Sequence, residues 1–174
     1  MRFITLLAAT AVLASLAGCH TLPTSPAPVA TAPAAAANPA TRAAQVHADL
    51  AAEKQRLSDL FRGTPVVFAL AADGSLRAEV PLAFSFDPGR SGVKPPLAAV
   101  LDRVAAGQLR EPTKIWIAAP PDDAAAKGSP LATERANSVR AYLIAKGLDG
   151  ARVMTPALHV TALVRLLITD AAGP

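Results

Sequence analysis

Cys19 is the only cysteine among 174 residues, so nothing downstream of it can be held by a disulfide within the chain. Whatever folds must therefore rest on its own hydrophobic core. Arg2 gives the N-terminus a positive start, Phe3 to Leu16 form an apolar run, and Leu16-Ala17-Gly18-Cys19 ends that run in small residues. A membrane span takes roughly 20 consecutive apolar residues. This run is shorter and has the flanks of a cleaved signal, so residues 1–18 are set aside as a signal peptide. Roughly 155 residues remain, enough for one compact domain and a tether.

The string Leu16-Ala17-Gly18-Cys19 resembles a bacterial lipobox, in which the cysteine becomes the new N-terminus and carries lipid on its sulfur and its amine. That resemblance implies a lipoprotein with acyl chains of the palmitate kind on Cys19. Several such chains, at about 0.8 kcal/mol per buried methylene, hold a protein on a membrane almost permanently. His20 follows the cysteine where enteric lipoproteins kept at the inner membrane tend to have Asp, which places this one at the periplasmic face of the outer membrane.

Residues 19–41 are almost wholly Ala, Pro, Thr and Ser. Repeated prolines block helix and sheet hydrogen bonding, and nothing there can build a core, so the segment reads as a disordered tether. In a polyproline conformation about 20 residues would reach roughly 60 Å. The character changes at residues 42–63, where Val46, Leu50, Leu57, Leu60 and Phe61 recur at helical spacing among charges, and Gly63-Thr64-Pro65 stops the pattern. This amphipathic helix either docks on the domain that follows or pairs with another copy, and docking is preferred.

From residue 64 to 170 the pattern is β, then alternating α and β. Val66 to Leu70 reads as a strand, Asp73-Gly74 as a tight reversal, and residues 76–86 as an alternating strand that continues through LAFSF. Residues 96–109 read as a helix with Leu97, Val100, Leu101 and Val104 on one face. KIWIA at 114–118 reads as a strand inside the sheet. Ser129-Pro130 reads as a helix start with a hydroxyl cap, running to about Lys146 with Ala132, Ala136, Val139 and Leu143 inward and Gly147 at its end. Strands at 152–155 and 161–169 complete an α+β layer domain, a mixed sheet with two helices on one face. No glycine-rich phosphate loop follows any strand.

The chemistry the residues exclude is as clear. The net charge of +4 is spread along the chain and aromatics make up 4%, so the clustered cations and stacking rings of a nucleic-acid binder are missing. The histidines are His20 at the lipidated end, His47 among the charges of the first helix and His159 in a late loop. None has neighbours that suggest a catalytic triad, and no HExxH or paired-cysteine spacing exists, so neither an enzyme, a cofactor nor a metal site is expected.

Three stretches in order resemble the OmpA-like domain family, which includes peptidoglycan-associated lipoproteins. LAFSFDPGRSGVKPPLAAVLDRVA is similar to the family's strand ending in Phe-x-Phe, a turn and a first helix. KIWIAAPPDD stands where the family has a strand entering Gly-His-Thr-Asp. LATERANSVRAYLIAKGLDGARV is close to Leu-Ser-x-x-Arg-Ala-x-x-Val-x-x-Tyr-Leu and a Gly, with Leu131, Arg135, Ala136, Val139, Tyr142, Leu143 and Gly147 on those positions. The resemblance covers residues 76–169 and implies an OmpA-like β-α-β-α-β layer domain.

It also implies a ligand site. Asp122 falls on the Asp of Gly-His-Thr-Asp and Arg135 on the Arg of Arg-Ala, the pair that in the family holds the zwitterionic end of diaminopimelate in the peptidoglycan stem peptide. A guanidinium fork suits the ligand carboxylate and an aspartate suits its ammonium. The chain departs from the pattern at several places. Pro120 and Pro121 replace His-Thr, Gly128 replaces Asn, and Leu163-Val164-Arg165 replaces Asn-Arg-Arg. The segment from Pro156 to His159 is too short for a third helix. The loop between Asp122 and Leu131 is shorter than the family's, which leaves Asp123 as the alternative to Asp122. Two functions stay open on the sequence: a non-catalytic wall-binding lipoprotein that links membrane and peptidoglycan, or an adaptor that keeps the fold without the site and contacts other envelope or secretion proteins.

Overall fold

A computed structural model describes residues 38–123, 128–156 and 162–171, in the compact unit that begins at Ala36. The signal peptide, Cys19, His20 and His159 lie outside the described residues, as does most of the tether.

Helix α1, Pro39–Leu60, opens three residues ahead of the expected Arg42. The cause is local. The Asn38 side chain accepts the Ala40 N–H at 3.1 Å, and Pro39, which looks like tether in the sequence, sits at the first helical position where a missing N–H costs nothing. Val46, Leu50, Glu53 and Leu57 form the buried stripe, while Leu60 is 50% exposed at the helix end. Sequence spacing did not single out Glu53. Its carboxylate is tied side-on to Arg56 at 2.6 and 2.7 Å and approaches Gly107, where a Cβ would collide with it.

A hairpin follows, β1 Val67–Leu70 and β2 Leu76–Pro81. Gly74 takes φ +79° in its turn, and Asp73 Oδ1 accepts both the Ser75 N–H and hydroxyl. The His47 ring from α1 stands 2.9 Å from where a Gly74 Cβ would lie. Gly74→Ala should therefore cost about 1–2 kcal/mol for the left-handed backbone alone, read as a lower unfolding midpoint, with the displaced ring adding to it.

The expected strand through LAFSF is corrected. The ladder ends at Pro81 opposite Leu163, and Leu82–Ser85 form a single helical turn, α2. Pro81 has no N–H to extend the pairing, the Ser85 hydroxyl donates to the Pro81 carbonyl at 2.9 Å, and the Phe86 N–H closes on Leu82 at 3.0 Å. The turn throws Phe84 outward, 43% exposed, and drives Phe86 into the core.

Helix α3, Pro95–Gln108, strand β3, Thr113–Ala118, helix α4, Pro130–Ala145, and strands β4, Val153–Met154, and β5, Leu163–Asp170, complete the order. Pro130 takes the first helical position of α4, but Ser129 makes no side-chain cap bond, contrary to expectation. Gly147 ends α4 with φ +98°.

The sheet runs β1-β2-β5-β3-β4, antiparallel except for the β3–β4 pair, so β3 does lie inside it. Ala78, Leu166 and Ile117 line up across three strands and are fully buried. Leu57 of α1, Leu97 and Leu101 of α3 and Val139 and Leu143 of α4 join them in one core. Alternation in β2 and β5 buries one face and leaves Arg77, Glu79, Arg165 and Leu167 half-buried on the other. The expected two-helix layer thus holds, with α1 docked into the same core. No helix among the described residues is long and apolar enough to cross a membrane.

Candidate functional site

Three segments converge beyond the C-terminal end of β3. They are the chain leaving α2 at residues 86–90, the chain leaving β3 at residues 118–122, and the second turn of α4, which carries Arg135. Ala118, Ala119, Pro120 and Pro121 are all buried. Buried backbone needs partners for its polar groups, and prolines halve that need by having no N–H. The Pro120 carbonyl remains, and it accepts from Arg135 Nη1 at 2.9 Å.

Arg135 is 0% exposed. Its Nε donates to the Arg90 carbonyl at 2.9 Å, and its Nη2 donates to the Asp87 carbonyl at 3.2 Å and to Asp122 Oδ1 at 2.5 Å. The guanidinium carbon lies 5.2 Å from the centre of the Phe86 ring. An arginine side chain has five N–H donors in a planar fork, and four of these bonds are made to oxygens of the surrounding chain. Arg135 is thus a buried cation in a cage of carbonyls.

Asp122 differs in kind. Its Oδ2 accepts the Gly89 N–H at 2.5 Å and its Oδ1 meets Arg135, yet its side chain is 40% exposed. Each carboxylate oxygen has two lone pairs, so both can accept a further donor from outside. The Arg135 bond, then the Gly89 N–H, hold the Asp122 carboxyl below its ordinary pKa. Asp102 on α3 is lowered likewise, by Lys146 just past the end of α4 first and by the Tyr142 hydroxyl on α4 second. A group depressed in the folded state contributes stability that is complete above its unfolded pKa and is lost as pH falls through the folded one. Acid titration should therefore leave the unfolding midpoint flat near neutrality and lower it below the ordinary aspartate range. Asp122→Asn and Asp102→Asn should each reduce that acid slope.

The structure thus brings Asp122 and Arg135 together, as their positions suggested. Asp123 is exposed, and Arg135 Nη2 donates to Asp122 Oδ1. Arg165, the one arginine left near the last strand, is absent from the cluster. It lies in β5 with Nε 2.9 Å from Glu79 on the half-buried sheet face. Sequence reasoning missed Phe86, Gly89 and the carbonyls of Asp87 and Arg90. The Asp87-Pro88-Gly89 break marks their segment, but nothing in it shows that its oxygens face an arginine. Among the described residues no group of three or more His, Cys, Asp or Glu could hold a metal ion.

No family model matches the sequence, and no curated protein matches it. Solved structures do match its shape. A MotB-like protein from Desulfovibrio vulgaris superposes with a TM-score of 0.59 at 14% identity, over 74% of this chain and 96% of that one. The cell wall anchor of the T6SS from Pseudomonas aeruginosa superposes with a TM-score of 0.53 at 15% identity, over 67% of this chain and 95% of that one. The fold is OmpA-like. Within an OmpA-like fold the caged arginine and the half-open aspartate lie where residues 118–122, leaving β3, meet the segment after α2.

Proposed function

We propose that this OmpA-like domain binds peptidoglycan non-covalently through Asp122, with diaminopimelate of the stem peptide as its ligand. In the same reading, lipid on Cys19 holds it at the periplasmic face of the outer membrane, so the chain links membrane and wall without catalysing a reaction. One observation carries the proposal. A carboxylate is fixed in place by a buried guanidinium and a backbone N–H and still presents 40% of its surface outward. A charge that is already oriented loses little freedom on binding an ammonium group, and a charge-assisted hydrogen bond there is stronger than a neutral one. The shared fold with a cell wall anchor supports the reading. Anchoring on a membrane facing the wall raises the local ligand concentration, so a weak site suffices.

A different observation favours a second reading. Arg135 is so fully engaged by the chain that the pair also works as a staple between three segments, which an adaptor acting through protein contacts would keep for stability alone. Retention of the full chain on purified diaminopimelate-type peptidoglycan separates the two. Asp122→Asn keeps the shape and an acceptor for Gly89 but removes the charge. Retention of the wild type and a loss of roughly tenfold or more in this variant is expected. Equal retention of both, or of neither, would overturn the wall-binding reading and leave the adaptor.

A further inference from the structure

We infer that the cavity between α1 and the α3–β3 connection binds the free amino terminus of a peptide, a primary ammonium beside a neutral carbonyl. The cavity lies at the start of β3 and Asp122 beyond its end, so this holds under either reading above. Its volume is about 230 Å³. Sites for drug-sized ligands run to roughly 300–1,000 Å³, so this one suits a ligand of one or two residues. Val46 and Leu50 of α1 give it an apolar wall.

One side of the cavity holds a donor with nothing to bond. Gln108 is 1% exposed. Its Oε1 accepts the Thr113 hydroxyl at 2.8 Å, and the Thr113 oxygen itself accepts from Arg152 Nη2 at 3.0 Å. A hydroxyl has one hydrogen, so these two bonds fix which end of the amide meets Thr113. Among the described residues Gln108 Nε2 then meets no acceptor. It is not sealed in either. Arg77 Nε is the one buried, unpartnered side-chain nitrogen or oxygen among them, so the amide nitrogen opens on the cavity that Gln108 lines. A polar group so placed calls for an acceptor from a ligand.

The rest of the polar lining is acidic. Asp49, Glu53 and Glu111 share it with one cation, Arg56, which Glu53 holds side-on at 2.6 and 2.7 Å. Asp49 accepts from the neutral Gln45 amide at 3.0 Å, and the half-buried Glu111 carboxylate meets no donor among the described residues. Glu53 is thus balanced and the other two acids are not. They do not converge as a metal set, so the cation that suits them is larger. An ammonium answers Asp49 and Glu111, and a carbonyl on the adjacent carbon answers the Gln108 N–H. A small apolar side chain covers Val46 and Leu50. A free amino acid fits less well, because its carboxylate would enter the same acidic lining.

The test is NMR titration of the isotope-labelled full chain in detergent with valinamide, N-acetylvalinamide, valine and isobutylamine. Valinamide should bind with a dissociation constant in the millimolar range or below and shift the Gly107, Gln108 and Thr113 amides. N-acetylvalinamide lacks the charge and isobutylamine lacks the carbonyl, so each should bind roughly tenfold more weakly, and valine should also bind more weakly than valinamide. Glu111→Gln keeps the side chain's shape and removes its charge. It should weaken valinamide by roughly tenfold in a chain whose spectrum remains that of the folded protein. Shifts confined to Gly89 and Arg90 would mean that Asp122 reads the ammonium, which overturns this inference and leaves wall binding standing. N-acetylvalinamide, valine or isobutylamine bound as tightly as valinamide overturns it as well, since the paired groups of a peptide terminus are then not what is read. Absence of any shift at Gly107, Gln108 and Thr113 at roughly ten millimolar valinamide ends it outright.

Discussion

Replacing Arg135 with leucine is expected to destabilise the domain by about 3–5 kcal/mol, the range found when one partner of a buried, hydrogen-bonded ion pair is removed. The loss has identifiable parts. The carbonyls of Arg90, Pro120 and Asp87 each lose their donor from this side chain. A buried acceptor left without a partner costs about 1–3 kcal/mol. The Phe86 ring loses the cation above it, and the segments after α2 and β3 lose the group that joins them to α4. In a domain of this size the change corresponds to roughly 10–20 °C in unfolding midpoint. Arg135→Lys should recover little of it, because one ammonium cannot fork to carbonyls on both sides of a planar group. Urea unfolding of both variants measures this, and a loss below about 1 kcal/mol in the leucine variant would show that the cage contributes little. The size of the effect bears on function. A wall-binding defect in any Arg135 variant mixes lost folding with lost recognition, so Asp122→Asn is the informative substitution.

What the sequence made legible follows from the range of the forces involved. Alternation in residues 76–80 and 164–168 and the helical spacing of Leu97, Val100, Leu101 and Val104 are local patterns, and the buried faces follow them. Boundaries set by a single cap or proline were harder. Asn38 pulls α1 back into a segment that composition assigns to tether, and Pro81 ends β2 where apolar residues continue. The site was half legible. The acid and the arginine stand at positions a resemblance could mark, but the oxygens that hold the guanidinium come from residues 45 and 48 positions away. A backbone carbonyl carries no signature of its partner, so the difference between an arginine open to a ligand and one consumed by the fold appears only in three dimensions.

Helix α1 gives the second large effect, and it decides how far the adaptor reading can lean on that helix. Leu57 is 0% exposed and Leu50 2% exposed, both inside the core shared with the sheet. Leu57→Ala removes a fully packed side chain and should cost about 2–5 kcal/mol, depending on how far the site collapses around the space left behind. Thermal or urea unfolding checks it, and a cost within about 0.5 kcal/mol of zero would mean that the helix rests loosely on the domain. A fragment beginning at Gly63 loses Val46 and Leu50 as well, together with the Glu53–Arg56 pair that reaches the Arg103 carbonyl on α3. It should show no cooperative transition. The apolar stripe of α1 is therefore part of this domain's interior and cannot at the same time be a surface for another protein. A partner that reads the docked helix must read its polar side, where Gln45 bonds Asp49 and Gln55 bonds Asp59. One that reads Leu50 and Leu57 has to displace the helix first, and its affinity would be reduced by the cost of opening the core. Leu57→Ala lowers stability in both cases and leaves a partner of the polar side unchanged, while a partner that reads Leu57 loses that contact.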